Sequence, residues 1–320
     1  MSALGVGGPR RPDTFIVGAP KSGTTSLYSY LEGHPQIYMS PVKEPLFFCT
    51  DARAVENQPT HRNDEAAYLA LFADATHQLR LGEASTRYLV SRDAPELIRA
   101  FQPGAYIVAM LRNPVEMLHA LHNERVSQGH EPITDFAAAL AADGERRDGV
   151  PGRPEAPPLV WLYLEYARYG EQLERWYGAF GRDRVHVVVF DDFAADTPGA
   201  FRRVLDFLEI DPGYQPASFA PRNVSHRQRP LVRKLVDSRA GTWLSTDLLG
   251  RVIGANARSR LALRFRHSRL NRRMAPRPEV PAPIQRQIEE ALHDDVAHLS
   301  ELLGRDMVKL WFGAGAGRSP

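Results

Sequence analysis

The chain has 320 residues, of which 43% are hydrophobic and 24% are charged. This ordinary globular composition excludes a disordered chain and an integral membrane protein. Cys49 is the only cysteine, so no intrachain disulfide is possible and a reducing compartment is expected. The first eleven residues lack an apolar signal segment, and no stretch reaches the length of a transmembrane helix. We therefore expect a soluble cytoplasmic protein.

The formal net charge of +2 conceals a strongly basic segment. Residues 222–273 contain 14 Lys and Arg against 2 Asp and Glu. Such a segment binds nucleic acid, a membrane surface or an anionic ligand, or it is simply a solvated basic face. Few aromatic residues are interleaved for base stacking, so we expect no nucleic-acid partner and favour a cofactor with several negative charges.

Strand and helix patterns alternate along the chain, which is typical of an α/β fold. We predict one three-layer α/β/α domain over residues 13–312, with a central parallel sheet of four or five strands. Residues 1–12 are rich in Gly, Pro and Arg and are expected to form a disordered leader. Residues 313–320 are expected to form a flexible tail.

The first predicted elements are a strand, a glycine-bounded loop and a helix. Phe15 to Val17 form a short apolar run typical of a buried strand, Gly18 and Gly23 bound a turn, and Thr24 to Leu31 begin a helix. Loop amides and the positive end of the helix dipole then point at one place, which predicts an anion site. The residues predicted to line it are Lys21, Ser22, Gly23, Thr24, Thr25 and Ser26.

The spacing of the two glycines imitates a Walker A loop. The Lys-Ser/Thr pair of a Walker A loop is replaced in this chain by Thr24-Thr25, and the lysine lies inside the loop at Lys21. A Walker lysine serves a nucleoside triphosphate and magnesium, whereas Lys21 is placed for a terminal phosphate or its bridging oxygen, with no metal expected. Two alternatives stay open: a P-loop kinase or NTPase, and a capped glycine turn that binds no ligand.

The segment 43–48, with the sequence Lys-Glu-Pro-Leu-Phe-Phe, places two charged side chains beside an apolar anchor. Partial desolvation raises the pKa of a carboxylate toward the range useful for a general base. Glu44 is therefore a candidate catalytic base. The alternative is a surface glutamate beside a proline turn.

The next predicted elements are an amphipathic helix at Glu65 to Phe72, a strand at Leu79 to Leu81 and a short helix at Pro95 to Phe101. The strand leads into the segment that contains Glu83 and Tyr88.

Ala105 to Leu111 is a continuous apolar run, as expected for a strand of a parallel sheet that is covered on both faces. It places Arg112 at its carboxyl end, where α/β sheets bind ligands, and Pro114 starts the next helix. Arg112 is predicted to bind a phosphate bidentately; the alternative is a structural salt bridge. On the same helix, His122 is an alternative catalytic base, although a helix histidine is more often structural.

The second half of the chain continues the alternation. Asp191 and Asp192 follow a hydrophobic strand, as in a Walker B motif, and are interpreted as structural or capping residues. A Pro- and Gly-rich loop at residues 149–158 is a candidate gate for the acceptor, and Gly304 ends the final helix. The predicted elements are Leu159 to Phe180 (helix), Val185 to Phe190 (strand), Phe201 to Leu208 (helix), Ala257 to Arg273 (basic helix) and Pro283 to Leu303 (helix).

Several of these motifs together resemble those of sulfotransferases that use 3′-phosphoadenosine 5′-phosphosulfate (PAPS). The resemblance covers residues 12–312 and is closest to bacterial and glycan-type members. It implies a P-loop-like fold with a loop that binds the 5′-phosphosulfate. The segments that carry it are 20–27 (Pro-Lys-Ser-Gly-Thr-Thr-Ser-Leu), 43–48, 82–85 (Gly-Glu-Ala-Ser), 111–115 (Leu-Arg-Asn-Pro-Val) and 302–306 (Leu-Leu-Gly-Arg-Asp).

The resemblance implies a role for each matching residue. The loop that contains Lys21 holds the 5′-phosphate, Arg112 holds the 3′-phosphate, and Glu44 is the expected base. Arg227 and Arg229 fall where related enzymes place a flexible basic loop over the nucleotide.

The chain departs from the family pattern at two positions. Ala84 stands where related enzymes often have a lysine near the acceptor. The resemblance implies that Glu83 and Tyr88, in the same segment, contact the acceptor. Ala120 stands where they usually have a serine that binds the 3′-phosphate, a role for which Ser127 is an alternative. These departures keep open a catalytically silent module that only binds nucleotide.

The resulting hypothesis is a PAPS-dependent sulfotransferase. It moves a sulfuryl group to a hydroxyl, or an amine, of a small-molecule, lipid or saccharide acceptor.

Overall fold

The computed structural model describes residues 10–51, 64–147, 158–220, 226–228, 272–274 and 279–313. Most of the expected leader and tail, nearly all of the gating loop, and Arg229 lie outside these residues. The predicted basic helix also lies outside them, except for its last two residues, which belong to a short strand.

Five parallel strands form the central sheet, and two short antiparallel strands form a separate ribbon. The strands are β1 (Thr14–Gly18), β2 (Ile37–Met39), β3 (Arg80–Ala84), β4 (Tyr106–Leu111), β5 (Val185–Val189), β6 (His226–Gln228) and β7 (Arg272–Met274). The order of the main sheet is β2-β3-β1-β4-β5. The predicted parallel α/β architecture is confirmed.

Helices connect these strands. They are α1 (Thr24–Glu32), α2 (Glu65–Leu69), α3 (Ala94–Phe101), α4 (Pro114–Gln128), α5 (Phe136–Ala141), α6 (Asp143–Arg146), α7 (Tyr169–Phe180), α8 (Phe190–Ala195), α9 (Thr197–Phe207), α10 (Ala282–Leu303) and α11 (Met307–Phe312). Short 3₁₀ turns occupy Ala70–Phe72, Pro158–Val160, Leu164–Ala167 and Arg182–Arg184.

The sheet has an apolar core on each face. Phe15 and Val17 belong to one core, with Trp176 of α7, whereas Ile16 belongs to the other, with Phe201 of α9. This division follows because successive side chains of a strand point to opposite faces. All six residues of β4 are buried, as predicted for a strand covered on both sides.

The prediction of one long helix from Leu159 to Phe180 is wrong, because regular helix begins only at Tyr169. Before that point the chain forms only short 3₁₀ turns, and two of its amides bond to a buried side chain. The two carboxylate oxygens of Asp143 accept hydrogen bonds from the amides of Tyr163 and Leu164, each at 3.0 Å. These tertiary bonds replace the helical ladder over the first part of the segment.

Most other predicted elements are confirmed within a few residues. Helix α9 begins earlier than predicted because the carboxylate of Asp196 caps it, accepting from the Gly199 amide at 2.9 Å. Gly304 ends α10 in the left-handed conformation with φ of 61°, as expected for a helix C-cap. Among the described residues, no helix combines the length and the apolar character needed to cross a bilayer.

Candidate active site

All five strands of the parallel sheet have their carboxyl ends at one edge of the sheet. The residues that follow β1, β3, β4 and β5 at this edge include Lys21, Thr86, Arg112 and Phe190. Because ligands of open α/β sheets bind outside the carboxyl ends of the strands, this edge is the candidate active site.

The loop between β1 and α1 has three residues with positive φ. Gly18, Lys21 and Gly23 have φ values of 150°, 60° and 90°. A Cβ atom on Gly18 would lie 2.6 Å from Leu89 Cβ and 2.8 Å from the carbonyl oxygen of Thr86, so only glycine fits there. The loop is therefore packed directly against the residues that follow β3.

The backbone amides from Ser22 to Thr25 have no hydrogen-bond acceptor among the described residues. They precede and open α1, where unpaired N–H groups carry the positive end of the helix dipole. The Ser22 hydroxyl is buried and donates to the Pro20 carbonyl at 3.2 Å, which stabilises the turn. The side chains of Thr24 and Ser26 are also buried, while Thr25 is half-buried.

The ammonium group of Lys21 is held by a carboxylate of α4. Its Nζ donates to Glu124 Oε1 at 3.0 Å, and the two side chains are 19% and 39% exposed. Ion pairs with this degree of solvent contact contribute little to stability. An anion bound in the loop can therefore replace Glu124 at small cost.

Arg112 is almost fully buried and contacts the loop. Its Nη1 donates to the Lys21 carbonyl at 3.1 Å, and its guanidinium lies over the Phe190 ring, 4.6 Å from the ring centre. Its Nε and Nη2 both donate to Glu116 Oε2, the former at 3.0 Å. The salt bridge that was the alternative interpretation of the sequence is present. The same guanidinium also supports the predicted anion-binding loop of residues 18–23, called the anion loop below.

Glu44 lies against the carboxyl end of β3. Its amide donates to the Ala84 carbonyl at 2.8 Å, and its own φ of 62° is in the left-handed region. Its carboxylate accepts from the Thr86 amide at 2.8 Å, from the Thr86 hydroxyl at 3.1 Å, and from Lys43 Nζ at 2.7 Å. Thr86 also provides the carbonyl that approaches Gly18, so Glu44 and the anion loop share a neighbour.

A family model described as the sulfotransferase family matches residues 12–216, well over half of the chain. The chain belongs to the sulfotransferase family. The matched range contains the anion loop, Glu44 and Arg112.

Curated relatives agree with this assignment. Human carbohydrate sulfotransferase 15 is 26% identical over 282 residues, which cover 70% of this chain and 48% of that protein. Human heparan sulfate glucosamine 3-O-sulfotransferase 6 is 26% identical over 219 residues, which cover 65% of this chain and 55% of that protein. The chain spans about half the length of the curated relatives it matches.

A solved structure agrees with the fold. The crystal structure of a sulfotransferase from Alicyclobacillus acidocaldarius has a TM-score of 0.67 and 25% identity, and the match covers 93% of this chain and 97% of that one.

The prediction that Glu83 and Tyr88 contact an acceptor is wrong. Both residues are fully buried, and the Tyr88 hydroxyl donates to Glu83 Oε1 at 2.8 Å. Strand β3 extends through Ala84, so its alternation directs Glu83 to the same core as Leu81 rather than to the site.

His122 lies in the core of the protein, with 2% of its surface exposed. Its Nε2 bonds to the Ile133 carbonyl at 2.9 Å, and its ring packs 5.3 Å from Phe136 and 5.8 Å from Tyr163, centre to centre. These contacts favour the structural interpretation of His122 and leave Glu44 as the better-placed candidate base.

The two acids after β5 have structural roles, as interpreted from the sequence. Asp191 accepts from Trp311 Nε1 at 3.2 Å, and Asp192 accepts from Arg305 at 2.5 and 3.0 Å. Asn113 adds a further link, because its side-chain nitrogen donates to the Trp311 carbonyl at 2.9 Å. The C-terminal helices are therefore fastened to the edge of the sheet that carries the site.

The remaining predicted residues are Arg227, Arg229 and Ser127. Arg227 lies in β6, where only the backbone is described, and Arg229 lies outside the described residues. The hydroxyl of Ser127 donates to the Glu124 carbonyl of its own helix at 2.8 Å. In the described ranges, no group of three or more His, Cys, Asp and Glu side chains is suited to a metal ion.

Four residues of this site were not predicted from the sequence. Glu116 follows Arg112 by four positions and was recognisable as a local ion-pair partner. Glu124, Thr86 and Phe190 carry no such local signal, since their contacts with Lys21, Glu44 and Arg112 depend on how the strands are ordered in the sheet.

Glu83 is expected to make the protein less stable as the pH rises. Burial raises the pKa of its carboxyl from 4.5 to about 7, although hydrogen bonds from neighbouring hydroxyls lower it in part. Between these two values the folded protein keeps a proton that the unfolded chain has released, so the free energy of unfolding falls through this window by on the order of 3 kcal/mol.

Urea unfolding at pH 5 and pH 8 checks this expectation. Glu83→Gln has no such proton, so its stability relative to wild type should increase from pH 5 to pH 8. A stability difference that is equal at both pH values would contradict the effect.

Proposed function

We propose that the chain transfers a sulfuryl group from PAPS to a hydroxyl group of an acceptor. The observation that carries the proposal is the joint placement of Lys21, Arg112 and Glu44 at one sheet edge, joined through the Lys21 carbonyl and Thr86. A lysine inside the loop, with Thr24-Thr25 after it, also supports a sulfated nucleotide over a nucleoside triphosphate.

The donor set of the loop fits PAPS. Unpaired amides from Ser22 to Thr25 and one ammonium group are the kind of donors that bind a single phosphoryl group at a helix N-terminus. A Cβ atom on Gly23 would lie 3.3 Å from Phe190 and from Met110, so the glycine keeps the loop close to the sheet.

Each residue has a defined task in this proposal. PAPS, when bound, supplies the sulfuryl group and a bisphosphate leaving group. Lys21 and the loop amides, with Thr24 and Thr25, hold the 5′-phosphate and stabilise negative charge on the leaving oxygen. Arg112 holds the 3′-phosphate and thereby orients the nucleotide.

Glu44 completes the reaction by accepting the proton of the acceptor hydroxyl at its carboxylate. Thr86 and Lys43 orient that carboxylate through the hydrogen bonds described above. Arg227 and Arg229 are proposed to add positive charge over the nucleotide.

We further infer that the acceptor hydroxyl belongs to a saccharide, because the names of the matched human relatives specify carbohydrate and heparan sulfate glucosamine. Radiolabelled PAPS incubated with heparan sulfate, with an uncharged polysaccharide and with a phenol tests this choice. Label in the phenol alone would reject a saccharide acceptor while keeping sulfuryl transfer. The single Cys49 supports a reducing, cytoplasmic setting.

Calorimetry is expected to show a strong preference for adenosine 3′,5′-bisphosphate over ATP with magnesium. The loop has one ammonium and amides for a single phosphoryl group, and Arg112 provides a second anchor at the 3′ position. Titration of the protein with each nucleotide measures this preference. Tight binding of ATP with magnesium, and no binding of the bisphosphate, would instead indicate a P-loop kinase or NTPase.

A further inference from the structure

Glu83 is a buried carboxyl group that receives three hydroxyl donors. Tyr68 and Tyr88 donate to its Oε1 at 3.0 and 2.8 Å, and Ser85 donates to its Oε2 at 2.7 Å. It has no cationic partner among the described residues. Burying an acid without a cation is costly, and the raised pKa of Glu83 reflects that cost. A buried carboxyl network that lowers stability in this way is expected to have a specific role.

Two of the three hydroxyls also hold the loop that carries Glu44. The Ser85 hydroxyl accepts from the Leu46 amide at 3.2 Å, and the Tyr88 hydroxyl accepts from the Phe48 amide at 3.3 Å. Each hydroxyl therefore donates to Glu83 and accepts from the loop. Because hydrogen bonds in such chains polarise one another, the carboxyl strengthens both links.

The loop needs these links because its backbone is strained. Glu44 and Leu46 have φ values of 62° and 52°, in the left-handed region that residues other than glycine seldom adopt. Such conformations persist only where the surroundings hold them in place. Contacts that hold this loop include the Ala84 carbonyl, which accepts from the Glu44 amide, and the two hydroxyls bonded to Glu83.

We propose that Glu83 is a positioning residue, which fixes the Glu44 loop in its reactive conformation through Ser85 and Tyr88. Glu83 itself touches no substrate, because it is fully buried. This inference rests on the proposed role of Glu44 as the base.

The structure provides a matched pair of variants for the test. Tyr88→Phe and Tyr68→Phe each remove one buried hydroxyl that donates to Glu83 Oε1, and each keeps the aromatic ring. Only the Tyr88 hydroxyl is bonded to the loop, at the Phe48 amide. Comparing the two variants therefore separates loop positioning from general support of the core.

Steady-state kinetics and hydrogen exchange are measured on the full chain. Tyr88→Phe should lower kcat about tenfold or more, with KM for PAPS and the Kd for adenosine 3′,5′-bisphosphate within about twofold. The peptide that contains Phe48 should exchange its amides faster. Tyr68→Phe should leave kcat and the exchange of that peptide near the wild-type values.

Ser85→Ala is the second variant, and it tests the positioning role of Glu83 if Tyr88→Phe does not fold. It should lower kcat and expose the Leu46 amide to exchange. Equal effects of the Tyr88 and Tyr68 variants on kcat, or unchanged exchange of the loop in Ser85→Ala, would overturn the positioning role.

The wild-type protein and Glu44→Gln distinguish this failure from failure of the proposed function. Equal turnover by these two proteins would reject Glu44 as the base. Loss of turnover in Glu44→Gln without any special effect of Tyr88→Phe would reject only the role of Glu83.

Discussion

Replacing Lys21 by alanine is expected to lower kcat/KM for PAPS by roughly 10²–10³-fold, the usual effect of removing one group that stabilises charge on a reacting oxygen. Lys21 contributes the ammonium group of the anion loop, and its Nζ is within reach of Glu124 across the site. The substitution removes that charge and its ion pair with Glu124, and it keeps the backbone carbonyl that accepts the hydrogen bond from Arg112.

Initial rates with labelled PAPS measure the effect, and thermal unfolding monitors the fold. Lys21→Arg keeps a positive charge and should retain part of the activity. Lys309→Ala removes an exposed lysine of α11 as a control for net charge and should behave as wild type. Turnover of Lys21→Ala within a few-fold of wild type would contradict the assignment of the loop.

The parts of the site that follow from local chemistry could be predicted from the sequence. The turn between Gly18 and Gly23 needs residues that tolerate unusual backbone angles, and this requirement is visible in the residue types. The position of Arg112 could also be predicted, because a continuous apolar run, typical of a strand buried on both faces, ends directly before it.

The partners of these residues could not be predicted, because they are set by tertiary structure. Glu124 meets Lys21 only because α4 follows β4, the neighbour of β1 in the sheet. The direction of Glu83 depended on where β3 ends: a strand that stopped at Leu81 would have left Glu83 free to face the site. The sequence of segment 159–168 predicts a helix, but two of its amides bond to Asp143 instead.

Replacing Glu44 by glutamine is expected to lower kcat by about 10²–10⁴-fold, the usual contribution of a positioned general base. Glutamine has nearly the same shape and keeps an oxygen that can accept from the Thr86 amide. The substitution removes the ability to take a proton and leaves the nucleotide site intact. The Kd for adenosine 3′,5′-bisphosphate should therefore remain within about twofold of the wild-type value.

His122→Gln is the matched comparison for the second candidate base. Its ring is buried and bonded to the Ile133 carbonyl, so the substitution should lower the melting temperature and leave the kcat of the folded protein nearly unchanged. A large loss of kcat in His122→Gln, with full activity in Glu44→Gln, would reverse the assignment of the base. Of the two candidate bases, Glu44 is the one bonded to Thr86, whose carbonyl approaches Gly18 of the anion loop. We therefore expect the proton of the acceptor hydroxyl to be removed at the carboxyl end of β3.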